Sequence, residues 1–276
     1  MEEKVAILGC GKMGEVIATA LAKVDWLEQP IRATARQPGR ADHLRSIGLQ
    51  VVSNADAAAG SDLLILAVKP KDMPELLDEI KPSINGGQLI ISIVAGLSTS
   101  FLEKRLATPG GPGARVVRAM PNLAGKVDEG MTAVASGASA GEDDLRRACA
   151  LFGEMGEVLS VDERLFDVVT ALSGSGPAYF AYFVQAMTEA GIELGLEPDA
   201  ARVLVLQTLT GTAKMLRGAD VWLTPQITAK QLQAGVTSPG GTTEAAIKKL
   251  EENGAAEVLK SAIRAAAQRS RSLSRP

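Results

Sequence analysis

Short apolar runs separated by helix-like stretches fill the first half of the chain. The runs at 62–68 and 88–95 are almost continuously apolar, which is typical of strands buried on both faces of a parallel sheet. Strands that alternate with helices in this way predict right-handed crossovers and one doubly wound sheet. We therefore expect an α/β fold for this half of the chain.

The pattern changes near residue 162. From there to the end, β-branched runs give way to apolar residues at helical spacing, in segments rich in Ala, Leu, Met and Glu. We predict an α/β domain at 1–161 and an all-helical domain at 162–276, with Ser175 as the N-cap of a long helix and Pro177 in its first turn. These helices have few charges on one face, so their apolar surface can be buried in their own core or in a dimer.

Residues 9–14 have the spacing G-x-G-x-x-G and directly follow the first apolar run. In such a motif Gly9 permits the tight turn after a strand, Gly11 lets a pyrophosphate approach the backbone, and Gly14 lets the next helix pack on the strand. The free N–H groups at the start of that helix attract phosphates. A strand-turn-helix without a ligand is the alternative, but the position of the motif favours a Rossmann-type dinucleotide-binding domain.

The ends of the later strands bear on which nucleotide binds. In NAD sites an acidic residue about 20 residues beyond the glycines holds the ribose 2′-hydroxyl, whereas a nearby Arg accommodates a 2′-phosphate. Here the second predicted strand ends at Arg36 without an acid, which favours NADP; a solvated arginine is the alternative. Two further strands end at Lys69-Pro70 and at Ala95-Gly96, at the edge where open α/β sheets bind ligands.

Composition indicates the cellular compartment and excludes some classes of partner. The chain of 276 residues has a formal net charge of −3, so we expect no nucleic-acid surface. No apolar run approaches the roughly 20 residues that span a bilayer, and a strand within a few residues of the N-terminus leaves no room for a signal peptide. Cys10 and Cys149 are too few for a disulfide framework or a zinc site. We expect a cytoplasmic protein without a metal.

The chain has one histidine, His43, in a polar segment where a solvated helix position is expected. Enzymes that reduce ketones usually need a general acid or base with a pKa near neutrality, and histidine is the commonest choice. If the chain is a dehydrogenase, we therefore expect a reaction that manages without such a group.

A second group of candidate binding residues lies at 236–246, in the loop that joins two predicted helices. Proline and glycine residues make a tight loop, and the hydroxyl groups of Ser238, Thr242 and Thr243 lie with free backbone N–H groups at a helix start. Such a place can bind a carboxylate without any lysine or arginine. An ordinary capped helix start explains the same residues equally well.

Five motifs carry a resemblance that covers essentially the whole chain. They are Gly9-Cys10-Gly11-Lys12-Met13-Gly14, Ala67-Val68-Lys69-Pro70, Arg118-Ala119-Met120-Pro121-Asn122, the segment LSGSGPAY at 172–179, and Ser238-Pro239-Gly240-Gly241-Thr242-Thr243. The first motif alone is generic, and the last two are close to diagnostic. On these residues the chain resembles the pyrroline-5-carboxylate reductases, which catalyse the last step of proline synthesis.

The resemblance implies a Rossmann domain followed by a helical domain that dimerises through interlocking helices, often as a decamer of five dimers. It implies reduction of L-1-pyrroline-5-carboxylate to L-proline by hydride transfer from NADPH, with NADH as the alternative. Ser238, Gly241, Thr242 and Thr243 would hold the substrate carboxylate, with the catalytic Thr243 hydroxyl also close to the ring nitrogen. The cofactor-binding positions carried over are Leu8, Gly9, Cys10, Gly11, Lys12, Met13, Arg36, Asn54, Ala67, Val68, Lys69, Pro70, Ala95 and Gly96.

The chain departs from the family pattern before the serine loop. Gln233 and Gly235 stand where the family often has a basic and a polar residue, and 218–228 is several residues longer than usual, which puts cofactor contacts from that loop in doubt. The alternatives are a related reductase, such as a 3-hydroxy acid dehydrogenase or a coenzyme F420-dependent NADP reductase, and a non-catalytic NADP-binding regulator. Oxidation of 3-hydroxy acids in that architecture requires a lysine base in the helical half of the chain. Only Lys214 and Lys230 precede the serine loop there, and neither lies in a recognisable motif.

Overall fold

The computed structural model describes residues 2–107, 113–218 and 227–273. The chain divides into two compact units, Met1–Pro177 with Ala265–Pro276, and Ala178–Arg264. The predicted boundary between residues 161 and 162 stays a prediction. Most of the long 218–228 segment lies outside the described residues.

One mixed sheet forms the centre of the first unit. Within the described residues its eight strands are β1 (Val5–Leu8), β2 (Arg32–Ala33), β3 (Gln50–Val51), β4 (Leu63–Leu66), β5 (Leu89–Ser92), β6 (Arg115–Met120), β7 (Gly130–Ser136) and β8 (Gly156–Ser160). Their order is β3-β2-β1-β4-β5-β6-β7-β8. All neighbours are parallel except β6 and β7, which are antiparallel. The strand order therefore reverses beside β1, at the switch point where open α/β sheets bind ligands.

The helices cover both faces of this sheet. The helices of the first unit are α1 (Lys12–Leu21), α2 (Pro38–Ser46), α3 (Asn54–Ala59), α4 (Met73–Ile80), α5 (Thr99–Leu106), α6 (Glu142–Gly153) and α7 (Phe166–Val169). One apolar layer contains Ile7 and Leu21, and the opposite layer contains Leu8 and Leu77. Every side chain of β1, β4 and β5 is buried, which confirms the prediction from the continuous apolar runs.

The remaining helices belong mainly to the second unit. They are α8 (Gly176–Glu193), α9 (Pro198–Arg217), α10 (Ala229–Val236), α11 (Thr242–Glu252) and α12 (Ala255–Leu273), whose last turns return to the first unit. The predicted fold class, a Rossmann-type sheet followed by a helical domain, is confirmed. No helix among the described residues is both long enough and apolar enough to cross a bilayer.

The predicted N-cap at Ser175 is wrong. An N-cap residue has an extended backbone, whereas Ser175 has φ −91° and ψ −16° in the right-handed helical region. Its N–H donates to the carbonyl oxygen of Thr170 at 2.9 Å, so a π-type turn at Thr170–Gly174 leads directly into α8. Pro177 still lies in the first turn of α8, where its missing N–H costs no helical hydrogen bond.

Candidate active site

The carboxyl ends of β1 and β4 lie side by side and bring most of the predicted nucleotide-binding residues together. Two adjoining cavities open there, with volumes of about 330 and 370 Å³. Gly9, Arg36 and Val68 line both cavities. The first also contains Asn54, and the second also contains Cys10, Gly11, Ala67 and Lys69.

The other predicted positions surround this edge. Leu8 is fully buried within β1, so only its backbone is available to a ligand. Lys12 and Met13 are the first two residues of α1. Gly96 follows β5 and lines a third cavity of about 730 Å³, together with Lys69 and Pro70, and Ala95 precedes it.

The three glycines of the motif have three different surroundings. Gly9 has φ +78°, and a Cβ atom there would overlap the side chain of Val68. Gly11 faces open space, since a Cβ atom would meet only the carbonyl oxygen of Gly9, at 3.9 Å. At Gly14 a Cβ atom would lie 3.2 Å from Cγ2 of Ile7. Gly9 thus fits the turn at the end of a strand, Gly11 leaves room for a bound pyrophosphate, and Gly14 permits the helix to pack closely on the strand.

The start of α1 is open to an anion. Its N-cap is Gly11, and no side chain caps the helix. The first N–H groups of a helix have no partner within the helix and attract negative charge. The open helix start and the space at Gly11 therefore fit the phosphates of a dinucleotide.

Arg40 braces the glycine turn, a contact that the sequence analysis missed. Its Nε donates to the carbonyl oxygen of Cys10 and one terminal nitrogen donates to that of Gly11, both at 2.9 Å. The same guanidinium pairs with Glu15 at 2.6 Å, and His43 lies 3.1 Å from Glu15. The pKa of Glu15 is lowered, chiefly by the hydrogen bond with His43. The single histidine thus contributes to a polar network behind the turn.

Arg36 lies three residues beyond β2, which ends at Ala33 and not at Arg36 as predicted. Its side chain is 71% exposed, and its terminal nitrogens lie 3.4 Å from Asp72 and 3.4 Å from Glu75. Asn54 donates to Glu79 at 2.8 Å from the first turn of α3. The cavity around these groups therefore holds one cation and several carboxylates.

The third cavity contains a buried arginine whose partner lies far along the chain. Arg118, at 8% side-chain exposure, stacks over the ring of Phe166 at 4.5 Å and pairs with Glu163 at 3.3 Å. Burial lowers the pKa of Arg118, and the nearby Glu163 opposes that shift. Glu163 also accepts hydrogen bonds from Thr99 N and Thr99 Oγ1, both at 2.8 Å. Glu163 thus connects β6 to the start of α5 at Thr99, three residues after the predicted cofactor contact at Gly96.

The predicted substrate-binding residues lie together at the start of α11, in the second unit. Gly241 is the N-cap, Thr242 and Thr243 are the first two helical residues, and no side chain caps the helix from Gly241. Gly241 N donates to Ser238 O at 3.0 Å, which closes the loop. The carboxylate of Glu244 accepts the N–H of Gly240 at 2.7 Å. Each N–H of Thr242 and Thr243 therefore remains available to an anion.

A glycine turn at the switch point of the mostly parallel sheet and a helix start open to phosphates are typical of the dinucleotide-binding domain of NAD(P)-dependent oxidoreductases. A pyrroline-5-carboxylate reductase from Mycobacterium tuberculosis is 36% identical over an alignment of 288 positions, which covers 98% of this chain and 96% of that relative. The chain belongs to the pyrroline-5-carboxylate reductase family.

Family models match the two halves separately. The model described as pyrroline-5-carboxylate reductase dimerisation matches residues 163–273, and the model described as NADP oxidoreductase coenzyme F420-dependent matches residues 4–96. The first match supports a homo-oligomer. The second match lies within the nucleotide-binding half, which related reductases share.

Solved structures agree along the whole chain. The pyrroline carboxylate reductase of Plasmodium falciparum, with NADP bound, has a TM-score of 0.87 and 28% identity over 99% of this chain and 98% of that chain. The pyrroline-5-carboxylate reductase of Coxiella burnetii has a TM-score of 0.86 and 32% identity, with full coverage of both chains. The protein is thus an oxidoreductase with NAD(P)H as its cofactor.

Proposed function

We propose that the protein reduces L-1-pyrroline-5-carboxylate to L-proline with NADPH, as the final step of proline biosynthesis. The observation that carries the proposal is the serine- and threonine-lined start of α11, whose backbone N–H groups remain open to an anion. That feature fits a substrate carboxylate, whereas a non-catalytic nucleotide-binding regulator would have no need of it.

The cofactor would lie along the carboxyl edge of the sheet. The turn at Gly9 and Gly11 and the start of α1 would hold the pyrophosphate, and Arg36 would face the adenosine ribose and favour NADPH over NADH. When bound there, NADPH supplies the hydride that reduces the carbon–nitrogen double bond. The full set of proposed cofactor-binding residues is Leu8, Gly9, Cys10, Gly11, Lys12, Met13, Arg36, Asn54, Ala67, Val68, Lys69, Pro70, Ala95 and Gly96.

The substrate would be held by neutral donors. We assign its carboxylate to Ser238, Gly241, Thr242 and Thr243, which form the loop and the first turn at the start of α11. The Thr243 hydroxyl would also orient the ring nitrogen. A cyclic imine is basic enough to take a proton from solvent, so the site needs no histidine near the reacting atoms. Orientation alone can lower a barrier by roughly 7 to 11 kcal/mol, which is the contribution we assign to these residues.

The helical domain would form the contact between subunits. α8 and α9 expose large apolar side chains, among them Phe180, at 60%, and Tyr182, at 70%. Monomers rarely leave such a surface uncovered. We propose a homodimer that buries this surface, a decamer of five dimers as the larger assembly, a boundary near residue 162 and a cytoplasmic location.

A spectrophotometric assay with pyrroline-5-carboxylate and each reduced nicotinamide tests the reaction. We expect oxidation of NADPH with this imine and no reduction of NADP⁺ with 3-hydroxy acids. Cofactor binding without any imine turnover would contradict the proposed function. Oxidation of a 3-hydroxy acid would favour the related dehydrogenases instead.

Thr243→Ala tests the proposed role at the ring nitrogen. We expect turnover to fall at least about tenfold, since a hydrogen bond to a charged group contributes roughly 1.5 to 3 kcal/mol. The Kd of NADPH should stay within about twofold. Thr237→Ala is the matched control, because that hydroxyl, at the C-cap of α10, donates back to Gln233 O at 2.7 Å. Equal losses of turnover and of NADPH binding would count against the role.

A further inference from the structure

The cavity beside the glycine turn has an unusual charge distribution for a site that takes a phosphorylated ribose. Its lining includes one cation, Arg36, and three carboxylates, Asp72, Glu75 and Glu79. Most of the cationic groups lie in the adjoining cavity, whose lining has Arg40, Lys69 and Lys71 beside Arg36. Arg36 therefore stands between an acidic and a basic region.

The guanidinium of Arg36 already has partners. One terminal nitrogen lies 3.4 Å from Asp72 and the other lies 3.4 Å from Glu75. Asp72 is the more buried of the two acids, with a side chain 22% exposed against 77% for Glu75. Glu79 instead accepts from Asn54 at 2.8 Å. A phosphate that binds Arg36 must therefore compete with Asp72 and Glu75.

We propose that Asp72 and Glu75 determine the cofactor specificity by competing with a ribose 2′-phosphate for Arg36. This inference rests on the proposed nucleotide-binding role of the site. A 2′-phosphate carries up to two negative charges and can pair with Arg36 only by displacing these two carboxylates, whereas a 2′-hydroxyl is neutral and can donate to either of them. The two acids thus weaken NADP binding selectively and keep NADH a usable cofactor.

Removal of the carboxylate charges tests this specificity directly. The affinities of NADP⁺ and NAD⁺ for the ligand-free protein are measured by calorimetry for wild type, Glu75→Gln and Asp72→Asn/Glu75→Gln. We expect the Kd of NADP⁺ to fall about threefold in the single variant and about tenfold in the double variant, in line with the strength of partly exposed ion pairs. The Kd of NAD⁺ should change by less than about twofold.

Two controls separate competition at Arg36 from a general change of charge. Asp78→Asn removes the same charge from α4, where Asp78 pairs with Arg105 at 2.7 Å and lies outside both cavities, so it should leave both affinities unchanged. In an Arg36→Gln background the gain from the double variant should fall below about twofold, because no guanidinium remains to compete for. An equal gain for NAD⁺, an equal gain in Asp78→Asn, or a gain that persists without Arg36 would each overturn the proposal.

The same experiment distinguishes this inference from the proposed function. Wild-type protein that binds neither nucleotide would refute the nucleotide site and the inference together. Protein that binds both nucleotides, with the expected selective gain, but reduces no pyrroline-5-carboxylate would refute only the reaction.

Discussion

Gly9 and Gly11 lie two residues apart in one turn, yet the structure predicts different consequences when each is replaced by alanine. Gly9 has φ +78°, a region that costs an alanine roughly 1 to 2 kcal/mol, and the new Cβ would overlap Val68. Overpacking of that kind costs about 1 to 3 kcal/mol more. We expect Gly9→Ala to lower the free energy of unfolding by ~2–5 kcal/mol, a large share of the ~5–15 kcal/mol of a whole domain.

Gly11→Ala is the matched substitution. Gly11 has φ −82°, which alanine adopts without strain, and the new Cβ has only the carbonyl oxygen of Gly9 near it, at 3.9 Å. Alanine is a poorer N-cap than glycine, but the lower entropy of the unfolded chain offsets about 0.4 to 1 kcal/mol of that loss. We therefore expect stability within about 0.5 kcal/mol of wild type. The Cβ would occupy the space proposed for the pyrophosphate, so the affinity for NADP⁺ should fall at least about tenfold.

Thermal unfolding and calorimetric titration with NADP⁺ separate the two effects. At about 2 to 4 °C per kcal/mol for a unit of this size, Gly9→Ala should unfold roughly 4 to 20 °C below wild type, and Gly11→Ala within about 2 °C of it. Wild-type stability in Gly9→Ala would refute the conformational argument. Wild-type affinity in Gly11→Ala would place the pyrophosphate elsewhere.

Three further perturbations test other parts of the molecule. Arg36→Glu should shift the ratio of kcat/KM for NADPH over NADH toward NADH by at least about tenfold; an unchanged ratio would refute the 2′-phosphate contact. Glu163→Gln removes the carboxylate that pairs with the buried Arg118 and should cost about 1 to 3 kcal/mol in urea unfolding, with part of the loss recovered by adding Arg118→Met; full stability would refute this pairing. Burial raises the pKa of Cys10 from 9.0 to about 11, so the unfolded chain ionises first and stability should fall as the pH rises from about 9 to 11, less so in Cys10→Ala. Equal slopes for the two proteins would contradict that assignment.

Local patterns predicted the parts of the fold that depend on neighbouring residues. Continuous apolar runs identified β4 and β5, and the glycine spacing identified the turn at Gly9. Each of these signals consists of residues that are close to one another in the sequence. The prediction of an N-cap at Ser175 was wrong because the local sequence gives no such signal there. The preceding helical residues continue through a π-type turn, and nothing in the local sequence distinguishes that continuation from a break.

Contacts across long separations could not be predicted in this way. Arg40 reaches the carbonyl oxygen of Cys10 across 30 residues, and Glu163 reaches Thr99 across 64. A charged residue in a polar segment has the same local pattern whether it is solvated or paired, so sequence periodicity is silent about its partner. The carboxylates around Arg36 were missed likewise, since α4 comes beside β2 only through the sheet order.

The two proposed binding regions handle negative charge by different means, and the substrate explains why. The proposed cofactor edge has Arg36, Arg40, Lys69 and Lys71 around one cavity, and these cations suit the negatively charged phosphates of a dinucleotide. The loop and first turn at 236–245 have no lysine or arginine, and the nearest one in the sequence, Lys248, lies in the second turn of α11. A cation beside the substrate carboxylate would also lie near the ring nitrogen and would oppose its protonation. In the proposed site, neutral hydroxyl and N–H donors would hold the carboxylate and would leave the nitrogen free to carry the charge that makes its carbon a hydride acceptor.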